Sequence, residues 1–430
     1  MKRKVCKSHL CESCMHLFEE QGKQFQSCDF DCLSSTNDED IELVCSSCGT
    51  YIGMCDEVKN LKRTQATLVK SALQNPKVTV VGYTAPSVRA SISEMFGEGE
   101  VEDAQGKVVA ALRLLGFDVV FDMNVAADFT VVEEAHEFVK RLKENKNLPM
   151  MTSCCPGWVN YVTKFWKEFI PNLSTCKSPQ QMFGALINNY FSKSIGKKST
   201  DLFVVSIVPC VAKKLEAKQA GINSNVGFDV DAAITTTELV EMIQKAKINF
   251  DLLEPSNFDT FFGSASGAGT IFGNTGGVME AVLRTAGDSI DQTDVDASMF
   301  ELVRGQEGIR RRTIKLGGRD INIAVVSGIM NAKDLLENIR LGKENLHFIE
   351  VMACPGGCVG GGGQPRHDVD KIPEYVKKRA KVLYDSELQL NTKKAHRNPA
   401  VLKIYEDYIG DIGGEESINL LHRYYDNFGE

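Results

Sequence analysis

The stretch Leu148-Pro149-Met150-Met151-Thr152-Ser153-Cys154-Cys155-Pro156 is a short apolar run that ends in two adjacent cysteines. Two later stretches repeat that layout: Leu202–Val208 runs into Pro209-Cys210, and His347–Met352 runs into Ala353-Cys354. Short apolar runs bounded by turn residues read as buried strands. Their alternation with helical periodicity predicts an α/β domain with mostly parallel sheets. In open parallel sheets ligands bind beyond the carboxyl ends of the strands, so strand ends that finish in thiols predict one shared site. A buried cysteine is more often a packed core thiol. Two features oppose that reading here. Cys354-Pro355-Gly356-Gly357-Cys358 has ligand-like spacing, and the run Gly360–Gly363 lets backbone approach a bulky object closely.

Upstream, Val78–Val81 reads as a strand, Lys107–Leu115 as a helix closed by Gly116, and Val119–Met123 as the next strand. Thr130 with Glu133 fits a capping box that opens a helix through about Lys143. Ile321–Val326 predicts a further strand. Glu134, Glu137 and Arg141 share one helix face, which by itself reads as a solvated salt-bridge ladder. These elements divide the chain into a cysteine-rich segment over 1–72, a two-lobed α/β domain over 73–385 and a helical tail over 386–430.

A net charge of −8 lacks the basic footprint of a nucleic-acid partner. No apolar run reaches the roughly 18 residues of a membrane span, and the basic start leads into cysteines rather than a signal core. A cytoplasmic protein is therefore expected. Fourteen cysteines in such a chain call for metals or catalysis, because disulfides are rare in reducing compartments. Eight of them, Cys6, Cys11, Cys14, Cys28, Cys32, Cys45, Cys48 and Cys55, lie in a segment without the apolar periodicity of a core, so metal is expected to hold it together.

Three motifs carry a family resemblance. Thr152-Ser153-Cys154-Cys155-Pro156-Gly157-Trp158, Val208-Pro209-Cys210-Val211-Ala212-Lys213-Lys214-Leu215-Glu216, and Glu350-Val351-Met352-Ala353-Cys354-Pro355-Gly356-Gly357-Cys358 running to Gln364-Pro365 resemble, in order, the signature motifs of FeFe hydrogenases. The likeness extends from about Lys77 to the C-terminus and takes in Ser266–Gly273 and the tail around Asn398–Val401. It implies an oxidoreductase that reversibly reduces protons to H2 at an H-cluster. That cofactor is a 4Fe-4S cubane joined to a diiron centre carrying CO, cyanide and azadithiolate. By motif position Cys155, Cys210, Cys354 and Cys358 hold the cubane, with Cys358 as the bridge to the diiron unit. Lys213 matches a cyanide contact, since a buried ammonium needs negative charge beside it; its plain reading is an exposed lysine at a helix start. Ala85, Pro86, Ser87, Ser178, Pro179, Gln180 and Phe272 match the pocket lining, although Ser87 and Ser178 read equally well as helix caps. The resemblance makes Cys154 an unligated thiol that relays protons, followed outward by Glu134, Ser174, Glu137 and Arg141. A thiol with a pKa not far above neutral suits that work. A ferredoxin-like electron carrier, H2 and protons, and dedicated maturation enzymes are the implied partners, in an anaerobic cytoplasm.

The chain departs from the pattern in two places. Val208 stands where the second motif usually has Met, which keeps an apolar wall but loses a thioether. The N-terminal spacing is not the common C-x2-C-x2-C-x3-C-P run; its eight thiolates are the count for two 4Fe-4S clusters that relay electrons, while Cys45-Ser46-Ser47-Cys48-Gly49 resembles a zinc knuckle. His9 and His16 are substitute ligands or surface residues, and Lys2, Arg3, Lys4 and Lys7 either dock an acidic carrier or form a solvated terminus. Cys176 reads as a packed thiol. A hydrogen sensor and a non-catalytic iron-sulfur assembly protein are the competing functions. Retained Cys154, Glu134, Glu137 and Lys213 favour turnover. Gly267-x-Gly269 is a weak dinucleotide signal, because the third glycine falls at Gly273 and no strand precedes it.

Overall fold

The computed structural model describes residues 65–97, 103–219, 227–306 and 308–425, with backbone alone for short strands at 4–6, 26–28, 43–44 and 51–52. Lys4–Cys6 pairs in parallel with Gln26–Cys28, setting Cys6 opposite Cys28, and Leu43–Val44 pairs antiparallel with Tyr51–Ile52. The expected N-terminal metal ligands, with His9, His16 and the basic start, lie outside the residues whose side chains are described.

Two four-stranded sheets carry the rest. The first takes β1 (Thr79–Thr84), β2 (Val119–Asp122), β4 (Leu202–Val208) and β5 (Ala232–Thr235), in spatial order β2-β1-β4-β5 and parallel throughout. The second takes β3 (Met150–Met151), β6 (Ile309–Leu316), β7 (Arg319–Ser327) and β8 (Phe348–Met352), in order β6-β7-β8-β3. Here only the β6–β7 pair is antiparallel. Strands covered on both faces read as continuous apolar runs, which is why Leu202–Val208 was legible in full. The β6–β7 hairpin was not foreseen. Arg310, Arg311 and Arg312 mask the pattern of an edge strand, and its turn is made by Gly317 and Gly318, both at positive φ of 58° and 70°.

Helix α1 (Ala104–Leu115) starts three residues before the expected Lys107, because the Asp103 carboxylate accepts the Gly106 amide, and it ends on Gly116 at φ 103° as expected. Helix α2 (Met123–Glu144) corrects the proposed capping box. Asp122 caps it at the Asn124 amide, eight residues before Thr130. Thr130 sits mid-helix with its hydroxyl donating to the Ala126 carbonyl, and Glu133 is engaged by the C-terminal tail. Most of α2 is buried, so this helix forms a central post of the core. Among its partners are α5 (Gly277–Asp291) and the short helix Gly267–Ile271. The Gly267–Gly269 glycines therefore serve packing: a Cβ on Gly269 would lie 2.2 Å from the Asn124 carbonyl.

Register aligns the strand ends. Thr84 lies opposite Ile207 and Asp122, and Met352 opposite Ser327. The chain therefore leaves β1 into Ala85-Pro86-Ser87, β4 into Pro209-Cys210, β8 into Ala353-Cys354 and β3 towards Cys154-Cys155. Helix α6 (Ile372–Leu388) then runs across position 386, and the tail ends in α7 (Glu415–Leu421) and an extended segment to Tyr425. Among the described residues no helix is long and apolar enough to cross a membrane.

Candidate functional site

Beyond the carboxyl ends of β1, β3, β4 and β8 lies a cavity with about 780 Å³ of empty space, counting its mouth. Cys155, Cys210, Cys354 and Cys358 all line it, and so does Cys154. These five and Cys176 form no disulfide. Cys155 arrives at the N-cap of α3 (Pro156–Phe165), where proline at the first helical position presets the turn. Cys358 follows Gly357, whose φ of 90° and closeness to the Thr275 amide, 2.6 Å from a built Cβ, admit no side chain. Gly360 and Gly361 act differently from the expectation. Their missing side chains let backbone meet backbone, at the Pro355 and Pro209 carbonyls, and the Gly363 amide donates to Pro209 at 2.7 Å. The glycine run thus ties the third motif to the second, and only Gly361 of it lines the cavity.

The remaining wall is apolar. Ala85, Pro86, Pro179 and Phe272 line it, together with Val208 and two unforeseen thioethers, Met123 and Met352. Burial, with Cys155 close by, pushes the Cys358 thiol up to about 12; it raises Cys210 as well. Cys154 is also held well above the ordinary thiol value, by burial and by the Glu134 carboxylate, and not near neutral as expected. Thiolates here require a strong cationic partner, which iron in a cluster provides. Two polar atoms of the lining, Ser87 Oγ and Gln180 Oε1, are buried and hydrogen-bond nothing in the protein. Four convergent thiols, a nearby ammonium and the unpaired Ser87 hydroxyl, both of the latter donors, fit a thiolate-bound iron cluster whose outer ligands accept hydrogen bonds.

That ammonium is Lys213. Its side chain is 12% exposed, with Nζ 2.8 Å from Glu216 Oε2 and 3.0 Å from the Cys154 carbonyl. Burial pulls the ammonium's pKa down, but Glu216 reverses the shift and holds the lysine above its ordinary value. Lys213 is therefore no exposed lysine. Glu216 was quoted in the motif without a role, and its i,i+3 spacing from Lys213 was the available signal. It is fully buried and gathers Ser178 Oγ at 2.9 Å and Gln180 Nε2 at 3.1 Å. Ser178 thus misses the cavity wall and holds the N-cap position of α4 (Pro179–Leu186) without a side-chain cap bond, whereas Ser87 lines the wall from inside the short helix Pro86–Arg89.

Behind Cys154, α2 presents Glu134 and Glu137. Glu134 is buried, and neither carboxylate oxygen has a well-formed hydrogen bond. Burial and the charge of Glu137 push its carboxyl up to about 8, with Ser174 and the Ser153 amide pulling the other way. Glu137 is well supplied: it accepts Ser174 Oγ at 2.8 Å, the Thr175 amide at 3.0 Å and Arg141 at 2.7 Å. Arg141 is only 8% exposed. Its guanidinium also donates to the carbonyls of Asn147, Pro171, Asn172 and Leu173. The salt-bridge ladder is therefore buried and bound to backbone, not solvated.

Residues 78–362 match the family described as iron only hydrogenase large subunit, C-terminal domain, and residues 373–427 match iron hydrogenase small subunit. This chain belongs to the iron-only hydrogenase family. Iron hydrogenase 1 of Clostridium pasteurianum is 43% identical over 82% of the chain, which spans 62% of that protein's length. A cytosolic Fe-S cluster assembly factor of Danio rerio, narfl, is 31% identical over 81% of the chain and 86% of its own length. The solved apo FeFe-hydrogenase HydA1 of Chlamydomonas reinhardtii superposes with a TM-score of 0.75 at 34% identity, over 84% of this chain and 98% of that one.

In this iron-only hydrogenase family member the small-subunit match is continuous with the rest and packs on α2. Asp128 receives the Ser266 amide and hydroxyl, the Gly269 amide and Asn398 Nδ2, joining the 266–273 stretch to the tail. Burial outweighs those donors and raises its carboxyl to about 6. The tail also supplies Tyr405, Ser417 and His422 to Glu133.

Proposed function

We propose that the protein is an FeFe hydrogenase catalysing 2 H⁺ + 2 e⁻ ⇌ H2 at an H-cluster bound in this cavity. One observation carries the reading: Cys155, Cys210, Cys354 and Cys358, from distant strand ends, line a single cavity beside an additional thiol, Cys154, backed by Glu134. When bound, the cofactor supplies the redox chemistry of hydrogen. The four cysteines hold its cubane. Lys213, kept charged by Glu216, donates to an anionic outer ligand, and Ser87 and Gln180 offer further polar contacts. Ala85, Pro86, Pro179, Val208 and Phe272 exclude water from it. Cys154 passes a proton to or from Glu134, and Ser174 links Glu134 onward to Glu137 and Arg141.

The proposal takes residues 1–72 as an electron-transfer domain with two 4Fe-4S clusters fed by a ferredoxin-like carrier, 73–385 as the H-cluster domain and 386–430 as the tail, in a cytoplasmic enzyme loaded by maturation enzymes. A second reading has one observation behind it: the assembly factor matches over more of its own length than the clostridial hydrogenase does. The complete Cys154–Glu134–Ser174–Glu137 array favours the hydrogenase. Metal analysis with infrared spectra of anaerobically matured protein separates them. The expected result is iron, CO and cyanide bands, and hydrogen evolution; iron-sulfur content without those bands would favour the assembly reading.

A further inference from the structure

The segment Ser174–Lys177 carries the serine that donates to Glu137 and acts on the charge of Glu134, and it is gripped from two sides. On one side stand residues around the first cysteine motif: the Ser174 amide donates to the Met151 carbonyl at 2.7 Å, and Ser153 Oγ donates to the Cys176 carbonyl at 2.8 Å. On the other side stands the last stretch of the tail. The Lys177 amide donates to the Leu421 carbonyl and the Arg423 amide to the Thr175 carbonyl, both at 2.8 Å, so that Cys176 and His422 pair as an antiparallel bridge. Tyr425 Oη donates to the Ser174 carbonyl at 2.8 Å. His422 is 8% exposed and joins Thr175 Oγ1, 2.8 Å from Nδ1, to Glu133 Oε2, 3.1 Å from Nε2.

Glu137, Cys176 and His422 also bring potential ligand atoms within 4.8 Å of one another. Metal binding is disfavoured there, because both ring nitrogens of His422 are engaged and the Arg141 guanidinium sits 2.7 Å from Glu137.

We propose that the tail segment 421–425 is a positioning element of the proton relay, in which His422 and Tyr425 hold Ser174 between Glu134 and Glu137. The inference rests on the hydrogenase reading of the relay. Its physical basis is the short reach of a hydroxyl. Ser174 Oγ meets Glu137 at 2.8 Å, and a backbone displacement of about 1 Å breaks such a contact and slows transfer through it. Glu133 anchors the device to α2, the helix that carries both relay glutamates, so relay and clamp move as one body. The region matching the small subunit thereby contributes to the proton path of the large-subunit domain.

The test uses the matured full chain with His422→Phe, His422→Gln and Tyr425→Phe, each with and without Ser174→Ala. All three single variants should keep the full CO and cyanide bands. Hydrogen evolution should fall about tenfold in His422→Phe and about threefold in Tyr425→Phe, with a larger solvent deuterium effect, and His422→Gln, which keeps a polar group towards Glu133, should recover to within about twofold. With Ser174→Ala present, the same substitutions should change the rate by less than about twofold, since a residue acting through Ser174 cannot act without it. In the cluster-free chain, amide exchange over 174–177 should rise about tenfold in His422→Phe and Tyr425→Phe. Unchanged rates and exchange, or full additivity with Ser174→Ala, overturn the inference and leave the hydrogenase reading standing. If His422→Phe does not fold, Tyr425→Phe and His422→Gln decide by the same criteria. If the unmodified chain itself shows no bands, the hydrogenase reading fails, and amide exchange still decides whether the clamp exists.

Discussion

On one side of Cys154 lies a cavity whose walls are apolar and whose Ser87 Oγ and Gln180 Oε1 hydrogen-bond nothing in the protein. On the other side lies the carboxylate face of α2, where Glu133 and Glu137 are almost surrounded by donors. Buried polar groups without partners are costly, so a polar occupant would stabilise the cavity side, whereas Glu133 and Glu137 on the relay side already have their donors. Glu134 is the exception on the relay side, a buried carboxyl lacking a well-formed bond at the point where the two regions meet. The contrast separates holding from transfer. In the proposed function, thiols and one ammonium hold the cofactor, while hydroxyls and carboxylates at hydrogen-bond distance pass the proton. Cys154 belongs to both, lining the cavity yet facing Glu134.

Substitution at that shared point gives the largest expected effect. Cys154→Ala leaves the four lining cysteines in place, so cluster bands in the infrared should persist while hydrogen evolution falls by about 10²–10⁴-fold, the usual worth of a positioned proton-transfer group. Normal turnover would erase the distinction between the two regions. A smaller effect is expected on the holding side. Glu216→Ala strips Lys213 of its buried carboxylate and should cost about 3–5 kcal/mol, measured by denaturation of the cluster-free chain. A loss below about 1 kcal/mol would mean that the Cys154 carbonyl alone suffices for the ammonium.

The two regions also differed in how far they could be read from sequence. Cys155, Cys210 and Cys354 follow contiguous apolar runs, and a strand buried on both faces announces itself, as Leu202–Val208 did. The α/β class and a shared site for the strand-end thiols followed from that pattern, while the Cys354–Cys358 spacing and the family resemblance supplied the set Cys155, Cys210, Cys354 and Cys358 that lines the cavity. Edge elements were harder. Ile309–Leu316 hides behind three consecutive arginines, and Ala232–Thr235 is too short to show a period. The start of α2 was missed because Thr130 and Glu133 imitate a capping box while their side chains bond elsewhere. The relay's supports were not legible at all: Tyr425 reaches Ser174, and His422 reaches Glu133, across most of the fold, and no local pattern encodes a partner so distant. Glu216 is intermediate, since its spacing from Lys213 was visible but its burial was not.

The subtlest test compares neighbours on α2. Burial and Glu137 push Glu134 up to about 8 from the ordinary value of 4.5, so the folded chain holds that proton more tightly than the unfolded one. The stabilisation is complete below about pH 4.5 and is lost as pH rises through about 8. Glu134→Gln removes the titration, and its stability relative to the parent chain should therefore grow between pH 5 and 8.5, by on the order of 1–3 kcal/mol in chemical denaturation of the cluster-free protein. Asp128, raised to about 6, and Glu350, raised to about 7, contribute the same sign in both chains and cancel in the comparison. Glu133 provides the opposite control. Burial would raise it, but His422, Ser417 and Tyr405 outweigh burial and hold its carboxyl below the usual range. Its contribution is present at neutral pH and is lost as pH falls through that lowered value, so the penalty of Glu133→Gln should shrink towards acid pH. Parallel stability curves for parent and Glu134→Gln would mean that Glu134 is ionised at neutral pH, satisfied by Ser174 and the Ser153 amide, and the exception at the junction would vanish.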